Sequence, residues 1–249
     1  MRIAVLADIH GNLRALEAVQ ADLARHSPDV VINLGDNVSG PLQAATTADW
    51  LMQQKWVHIR GNHDRQLIDR LPVDMGPSDR AAHAQLNRRQ LDWLAGLPPT
   101  KLLTDGILLC HGSPFDDLEY LLEQVEGDHV RLASVKQIQA KLVNVNAALV
   151  FCGHTHVPRI VCLPGGVRVI NPGSVGLPAY DDTWTRLHYV ETGAPQARYA
   201  IVDWDGKEIR ANFLAIDYDW DSASSEAARA DRRDWAHALR TGYALRPSD

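Results

Sequence analysis

The sequence predicts an α/β fold: a four-layer α/β/β/α sandwich, with two mixed β-sheets packed face to face and flanked by helices. Three observations carry that prediction. Five short apolar runs, each followed at once by polar residues, read as buried strands of largely parallel sheet. A segment of helical period between the first two runs completes a β-α-β unit within 36 residues, and such a crossover is right-handed. Beyond Cys152 the pattern changes to paired runs around Gly-containing turns, which read as antiparallel hairpins with one packed face.

The elements follow in order. Met1 to Ile9 is nearly continuous apolar and forms the first strand, with Gly11-Asn12 as its turn. Leu16, Val19 and Leu23 share one helical face between Leu13 and Arg25, and Ser27-Pro28-Asp29 ends that helix. Val30 to Leu34 is the second strand, and Gly40-Pro41 marks a loop. Thr46 to Gln54 predicts a helix and Trp56 to Ile59 the third strand. Gln66 to Ser78, with Pro72, Gly76 and Pro77, reads as irregular; Asp79 to Leu94 reads as one helix stopped near Gly96. Ile107 to Cys110 is the fourth strand. Leu118 to Val125 and His129 to Leu142 predict two helices, a helical insertion over about 116–146. Leu149 to Cys152 is the fifth strand. Hairpins are expected at Arg159 to Leu163 with Val167 to Ile170, and around Asp205-Gly206 between Ala197 and Leu214. A helix over about 222–241 closes the chain, with Trp235 and Leu239 on one stripe. No repeat or low-complexity linker divides residues 1–249, which read as one domain.

Composition narrows the class. Hydrophobic residues make up 45% and charged residues 22%, the balance of a soluble globular protein. The net charge of −6 comes without a basic block, so no extended nucleic-acid groove is indicated. No apolar segment reaches the roughly 18 residues of a membrane span. The N-terminus runs straight into a strand without the pattern of a signal peptide. Cys110, Cys152 and Cys162 lie in or beside apolar runs, which predicts free buried thiols and a cytoplasmic location.

The chemistry gathers at the strand ends. The five runs finish in Asp8 and His10; in Gly35-Asp36; in Gly61-Asn62-His63-Asp64; in His111; and in Gly153-His154-Thr155-His156. Ligands in open α/β sheets collect outside the carboxyl ends of strands. Any one of these histidines alone is explained as well by packing; five strand ends of this composition are not. Asp8 and His10 are two apart, the spacing that turns alternate strand residues to one side, so both can face one ion. His154 and His156 sit in a tight turn that can divide them between two ions. With two oxygens, Asp36 is the natural bridge. Mixed nitrogen and oxygen donors suit Mn²⁺, Fe²⁺, Zn²⁺, Ni²⁺ or Co²⁺ rather than Ca²⁺. Two such ions hold a phosphoryl group and lower the pKa of a shared water, giving hydroxide for in-line attack. His63 is then the candidate general acid, with neighbouring Asp64 fixing its tautomer.

These motifs, in this order across residues 1 to 160, resemble those of the calcineurin-like metallophosphoesterases. The longer strings Asp8-Ile9-His10-Gly11-Asn12-Leu13 and Asn171-Pro172-Gly173-Ser174-Val175-Gly176 are similar to the small bacterial and archaeal branch described as phosphodiesterases. The resemblance implies Asp8, His10, Asp36 and His156 on a first metal and Asp36, Asn62, His111 and His154 on a second. It further implies His63, supported by Asp64, as the catalytic histidine, and two divalent ions such as Mn, Ni, Fe or Zn, with Mn favoured. The chain departs from the family at Asn37-Val38-Ser39-Gly40-Pro41, which is shorter and lacks the tyrosine often found there.

The expected substrate is a small phosphorylated molecule. A diester is favoured over a monoester because none of Arg60, Arg65, Lys136 and Arg186 is placed by its motif to face inward. A protein Ser/Thr phosphatase shares the same core. A metal-stabilised interaction module is the competing class, and apolar exposure around Val143 to Leu149 or Ala179 would be its signature. His26, His58, His83, His129, His188 and His237 read as structural or solvent-facing. Trp50, Trp56, Trp93 and Trp235 read as packing groups, while Trp184 beside an Asp-rich loop has a secondary reading as a substrate contact.

Overall fold

The structure is a computed structural model and describes residues 1–104, 106–183 and 186–247; Trp184 lies outside the described residues. The strands in chain order are β1 (Arg2–Leu6), β2 (Val30–Asn33), β3 (Val57–His58), β4 (Lys101–Thr104), β5 (Ile107–Leu109), β6 (Glu123–Glu126), β7 (His129–Leu132), β8 (Leu149–Phe151), β9 (Arg159–Cys162), β10 (Arg168–Asn171), β11 (Ala179–Asp182), β12 (His188–Glu191), β13 (Ala197–Trp204) and β14 (Ile209–Ile216). The helices are α1 (Leu13–Leu23), α2 (Ala44–Leu51), α3 (Asn62–Asp69), α4 (Pro77–His83), α5 (Arg88–Gly96), α6 (Val135–Lys141), α7 (Trp220–Arg229) and α8 (Arg233–Thr241).

Two mixed sheets, ordered β14-β13-β1-β2-β3 and β4-β5-β8-β10-β9, pack face to face as expected. Alternation along β1 shows how. Ile3, Val5 and Ala7 join Ile107, Leu109, Leu149, Phe151 and Ile170 between the sheets. Ala4 and Leu6 point the other way, onto Ala15, Leu16, Val19 and Leu23 of α1. The outer face of the second sheet, with Cys110, Val150, Cys152 and Val169, is covered by Ile138 of α6 and by Leu121 and Leu122. β1, β2 and β3 run parallel in one sheet, and β5, β8 and β10 in the other. The loops leaving five of these six ends carry the predicted ligands.

Several elements differ from expectation. The stretch read as two helices over 118–142 forms the antiparallel pair β6–β7, and only Val135–Lys141 is helical. Those strands join β11 and β12 in a third sheet, β11-β12-β7-β6, which the sequence pattern did not announce. Short strands with charged residues on a half-exposed face lack the apolar alternation on which a strand reading relies. The helix expected over 79–94 is broken into α4 and α5, where Asn87 caps the second piece by accepting from Gln90 N. The terminal helix also splits, with Asp231 in a left-handed conformation between α7 and α8. Cys110 and Cys152 are buried free thiols as expected, but Cys162 faces outward on β9. Among the described residues no helix is long and apolar enough to cross a membrane.

Candidate metal centre

The predicted ligands converge. Ligand atoms of Asp8, His10 and His156 lie within 4.8 Å of one another, and so do those of Asp36, His111 and His154. The Gly153-His154-Thr155-His156 turn therefore divides its two imidazoles between the clusters. Asp36 stands between them, with Oδ2 3.2 Å from His111 Nε2 and 4.0 Å from His10 Nε2. Its other oxygen accepts from His63 N at 2.9 Å. Asn62 Oδ1 joins the second cluster, 3.0 Å from His111 Nε2.

Backbone geometry makes this convergence possible, though not by the strand alternation expected at Asp8 and His10. β1 ends at Leu6, and the residues beyond it adopt left-handed backbone. Among the described residues, eight non-glycine residues have positive φ, and five of them are Asp8, His10, Asp36, His154 and His156. Side chains rarely tolerate that region, at a cost of roughly 1–3 kcal/mol each, so such residues mark sites that the surroundings enforce. The enforcing bonds are visible: Asp8 N bonds to Gly35 O and His10 N to Asp36 O, while Gly176 N and Ser174 Oγ both donate to Asp8 O. Gly61 must be glycine, because a Cβ there would stand 2.2 Å from Asp36 Oδ1.

The donor set fits divalent ions on its own chemistry. Each imidazole spends one ring nitrogen on a backbone carbonyl: His10 Nδ1 on Ser39 O (2.8 Å), His111 Nδ1 on Leu34 O (2.8 Å), His156 Nδ1 on Leu177 O (2.7 Å) and His154 Nε2 on Leu118 O (3.2 Å). A carbonyl only accepts, so each of those nitrogens carries a proton, and on a neutral ring the other nitrogen presents a lone pair. Two such lone pairs, on His10 Nε2 and His156 Nε2, face each other at 3.2 Å. That arrangement is repulsive unless a cation shares it. Burial pulls His10 and His154 down to about 4, which keeps both rings in the neutral, ligating form at pH 7. Burial also disfavours charge on Asp36, but His111 and His63 outweigh it and hold its carboxyl well below the usual range. His111 shows the converse: burial pulls it down, and Asp36 overrides that to leave it at about 10. Two carboxylates and four imidazoles in one buried pocket are an assembly built for positive charge.

His63 lies beside the clusters, its ring 5.6 Å from that of His10. Its carboxylate partner is Asp79, with Nδ1 2.7 Å from Asp79 Oδ1. The expected partner, Asp64, is engaged elsewhere. It accepts from Gly61 N at 2.9 Å and from Asn37 N and Nδ2 at 3.0 and 2.7 Å, so it caps α3 and ties that helix to the Asp36 loop. Burial and Asp36 push the Asp64 carboxyl up to about 7, against those bonds. Burial pulls His63 down, but Asp36 and Asp79 raise it to about 9, so the ring holds its proton at neutral pH. Ser39 Oγ donates to the same Asp79 oxygen at 2.6 Å, while Ser39 O binds His10, which links His63 to the first cluster.

A cleft of about 460 Å³ opens over the clusters. Several of its groups escaped the sequence reading. Tyr180 sets its ring 4.7 Å from that of His156 and donates to His154 O. Trp235 does pack in the α7–α8 core, but its edge also meets His10 at 5.8 Å, and it lies against Gly40. The loop that lacks the family's tyrosine is thus faced by an aromatic ring from α8. Arg65 pairs with Asp117 instead of lining the cleft; Arg70 and Arg232 line it. No local motif marks Asp79, Tyr180 or Arg70. Only tertiary packing brings them here. Of the six histidines set aside, none belongs to either cluster; His58 sits between Trp56 and Trp93, and His188 bonds to Tyr120.

Comparison with known proteins agrees with this geometry. The crystal structure of a metallophosphoesterase from Sphaerobacter thermophilus superposes with a TM-score of 0.76 at 26% identity, covering 97% of this chain and 99% of that one. Hypothetical protein PH1004 from Pyrococcus horikoshii shares the fold, with a TM-score of 0.75 at 18% identity over 98% of this chain and 99% of that one. Uncharacterized protein MJ0912 from Methanocaldococcus jannaschii is 23% identical over 257 residues, covering 94% of each chain. The profile of the calcineurin-like phosphoesterase superfamily domain matches residues 1–205, and the chain belongs to that superfamily.

Proposed function

We propose that the protein hydrolyses small organic phosphoesters, diesters in preference to monoesters, at a dinuclear metal centre. The observation that carries this reading is Asp36 standing between two ligand clusters with His63, held on Asp79, at their edge. Asp8, His10, His156 and Asp36 would hold one ion, and Asp36, Asn62, His111 and His154 the other. Bound there, divalent ions supply Lewis acidity for the phosphoryl oxygens and a lowered water pKa. Mn²⁺ is the ion of choice for assay, in keeping with a mixed nitrogen and oxygen donor set. The chain's own part is to hold the phosphorus in line, and His63 does the acid chemistry. Its Nδ1 is fixed on Asp79, so Nε2 is the atom that protonates the departing alcohol oxygen.

The preference for a diester rests on the side chains touching the clusters. Asn62, Tyr120, Tyr180, His63 and Trp235 include no lysine or arginine to meet the second charge of a monoester. The interaction-module reading keeps only part of its expected signature: Val143 and Ala148 are exposed, while Leu149 and Ala179 are buried. The test is metal analysis of reconstituted protein alongside kinetics on bis(4-nitrophenyl) phosphate and 4-nitrophenyl phosphate with Mn²⁺. Two ions per chain and a larger kcat/KM for the diester are expected. A much larger value for the monoester would reverse the preference, and protein that binds no ion would end the hydrolase reading.

A further inference from the structure

Past His63, one wall of the cleft continues with polar groups that no part of the protein uses. His63, Gln66 and Arg70 follow one another at spacings of three and four, so they share a face of α3 and its end. All three line the cleft. Gln66 is only 6% exposed, yet its side-chain amide has no hydrogen-bond partner in the protein among the described residues. That amide opens onto the cleft instead of being sealed in the core, so a molecule entering the cleft can reach it. The Arg70 guanidinium likewise has no ion pair or hydrogen bond among the described residues. Its neighbours show the contrast, since Arg65 is held by Asp117 and Arg80 by the carbonyls of Pro72 and Met75. Asp181 also lines the cleft, and its carboxylate disfavours an anion near it.

We propose that this face is a subsite for the alcohol half of the substrate, and that Gln66 and Arg70 select a leaving group carrying a second anionic group. The inference rests on His63 as the group that protonates the leaving oxygen, because that places the alcohol on the α3 side. Hydrolysis breaks the bond from phosphorus to that oxygen, water forms the new one, and His63 supplies the proton the alcohol keeps. Helix rise puts Gln66 about 4.5 Å beyond His63 along the axis, and Arg70, the extended residue that ends the helix, lies farther out. An exposed arginine alone would mean little. A second unpartnered polar group, the cleft-facing amide of the largely buried Gln66, one turn before it and next to the acid, gives it a direction.

The test is calorimetric titration of the Mn²⁺-loaded protein with phenylphosphonate and with 4-carboxyphenylphosphonate. The carboxylated compound is expected to bind about tenfold more tightly, the worth of one charge-assisted contact. Arg70→Gln should remove that ratio, Arg70→Glu should invert it, and Gln66→Leu should reduce it. Arg70 is exposed at the helix end, so its variants leave the core untouched. Equal Kd values in the unmodified protein, or an unchanged ratio in Arg70→Glu, overturn the subsite. A parallel arm compares kcat/KM for methyl 4-nitrophenyl phosphate with and without a ring carboxylate. Hydrolysis of both without preference leaves the phosphodiesterase reading standing and the subsite refuted. If neither phosphonate binds and neither ester turns over, both fall together.

Discussion

The floor of the cleft and its walls are built on different plans. On the floor, each ligand lies within five residues of a strand end, and backbone atoms hold it: four imidazoles on four carbonyls, two carboxylates among amides. The walls come from segments far apart in sequence. Asp79 comes from α4 and backs His63, Arg70 ends α3, Tyr180 is on β11, and Trp235 is on α8. Backbone hydrogen bonds leave the floor little freedom, since shifting one loop would move a left-handed residue and the ligand side chain it carries together. A wall residue touches the floor through one side chain and can change without moving it. On the proposed reading, the chemistry resides in the floor and the choice of substrate in the walls.

Breaking the floor should cost most. Asp36→Ala removes the carboxylate between the clusters, and bound metal should fall below one ion per chain by elemental analysis. The several kcal/mol that a dinuclear site supplies make the loss in kcat about 10³-fold or more. Next comes His63→Gln, which leaves the ligands in place. Metal content should hold at two ions while kcat falls about 10²–10⁴-fold, the range for losing a general acid. The fall should be steeper for esters of poorly acidic alcohols than for nitrophenyl esters, whose oxygen departs without help. Equal losses for both kinds of ester would move the acid to another residue.

The same division decides what the amino-acid sequence could reveal. Strand-end motifs are local: a run of apolar residues and the glycine, carboxylate and imidazole that follow sit within one window. Asp8, His10, Asp36, Asn62, His111, His154 and His156 were all legible in that way, and the two facing sheets with them. Asp64 was misassigned for the same reason. Adjacency to His63 suggested a pair, but a helix turns its third residue back toward its own start, where Asp64 meets Gly61 N. The charged, half-exposed strands β6, β7, β11 and β12 show too little alternation to be told from helix or loop. Asp79 reads as a helix-capping residue in isolation. Its contact with His63 spans 16 residues and an irregular turn, and no periodicity encodes it.

Asp79 is therefore where the division between floor and wall can be sharpened, with the smallest of these effects. It is 1% exposed and serves two donors, His63 Nδ1 and Ser39 Oγ. Asp79→Asn keeps the shape and removes the charge. A charge-assisted bond of this kind makes the expected loss in kcat about 10–100-fold, with KM little changed. The pH profile separates orientation from mere packing. On the proposed mechanism His63 acts in its protonated form, so activity should decline as pH rises through its pKa. Burial lowers that pKa while Asp36 and Asp79 raise it, and removing Asp79 takes away one of the two raising charges. The alkaline limb should then move to lower pH in the variant. Bound ions lower the limb in both proteins but leave their order unchanged. If the limb stays in place and only Tm falls, Asp79 is a packing residue, and the acid's protonation belongs to the floor after all.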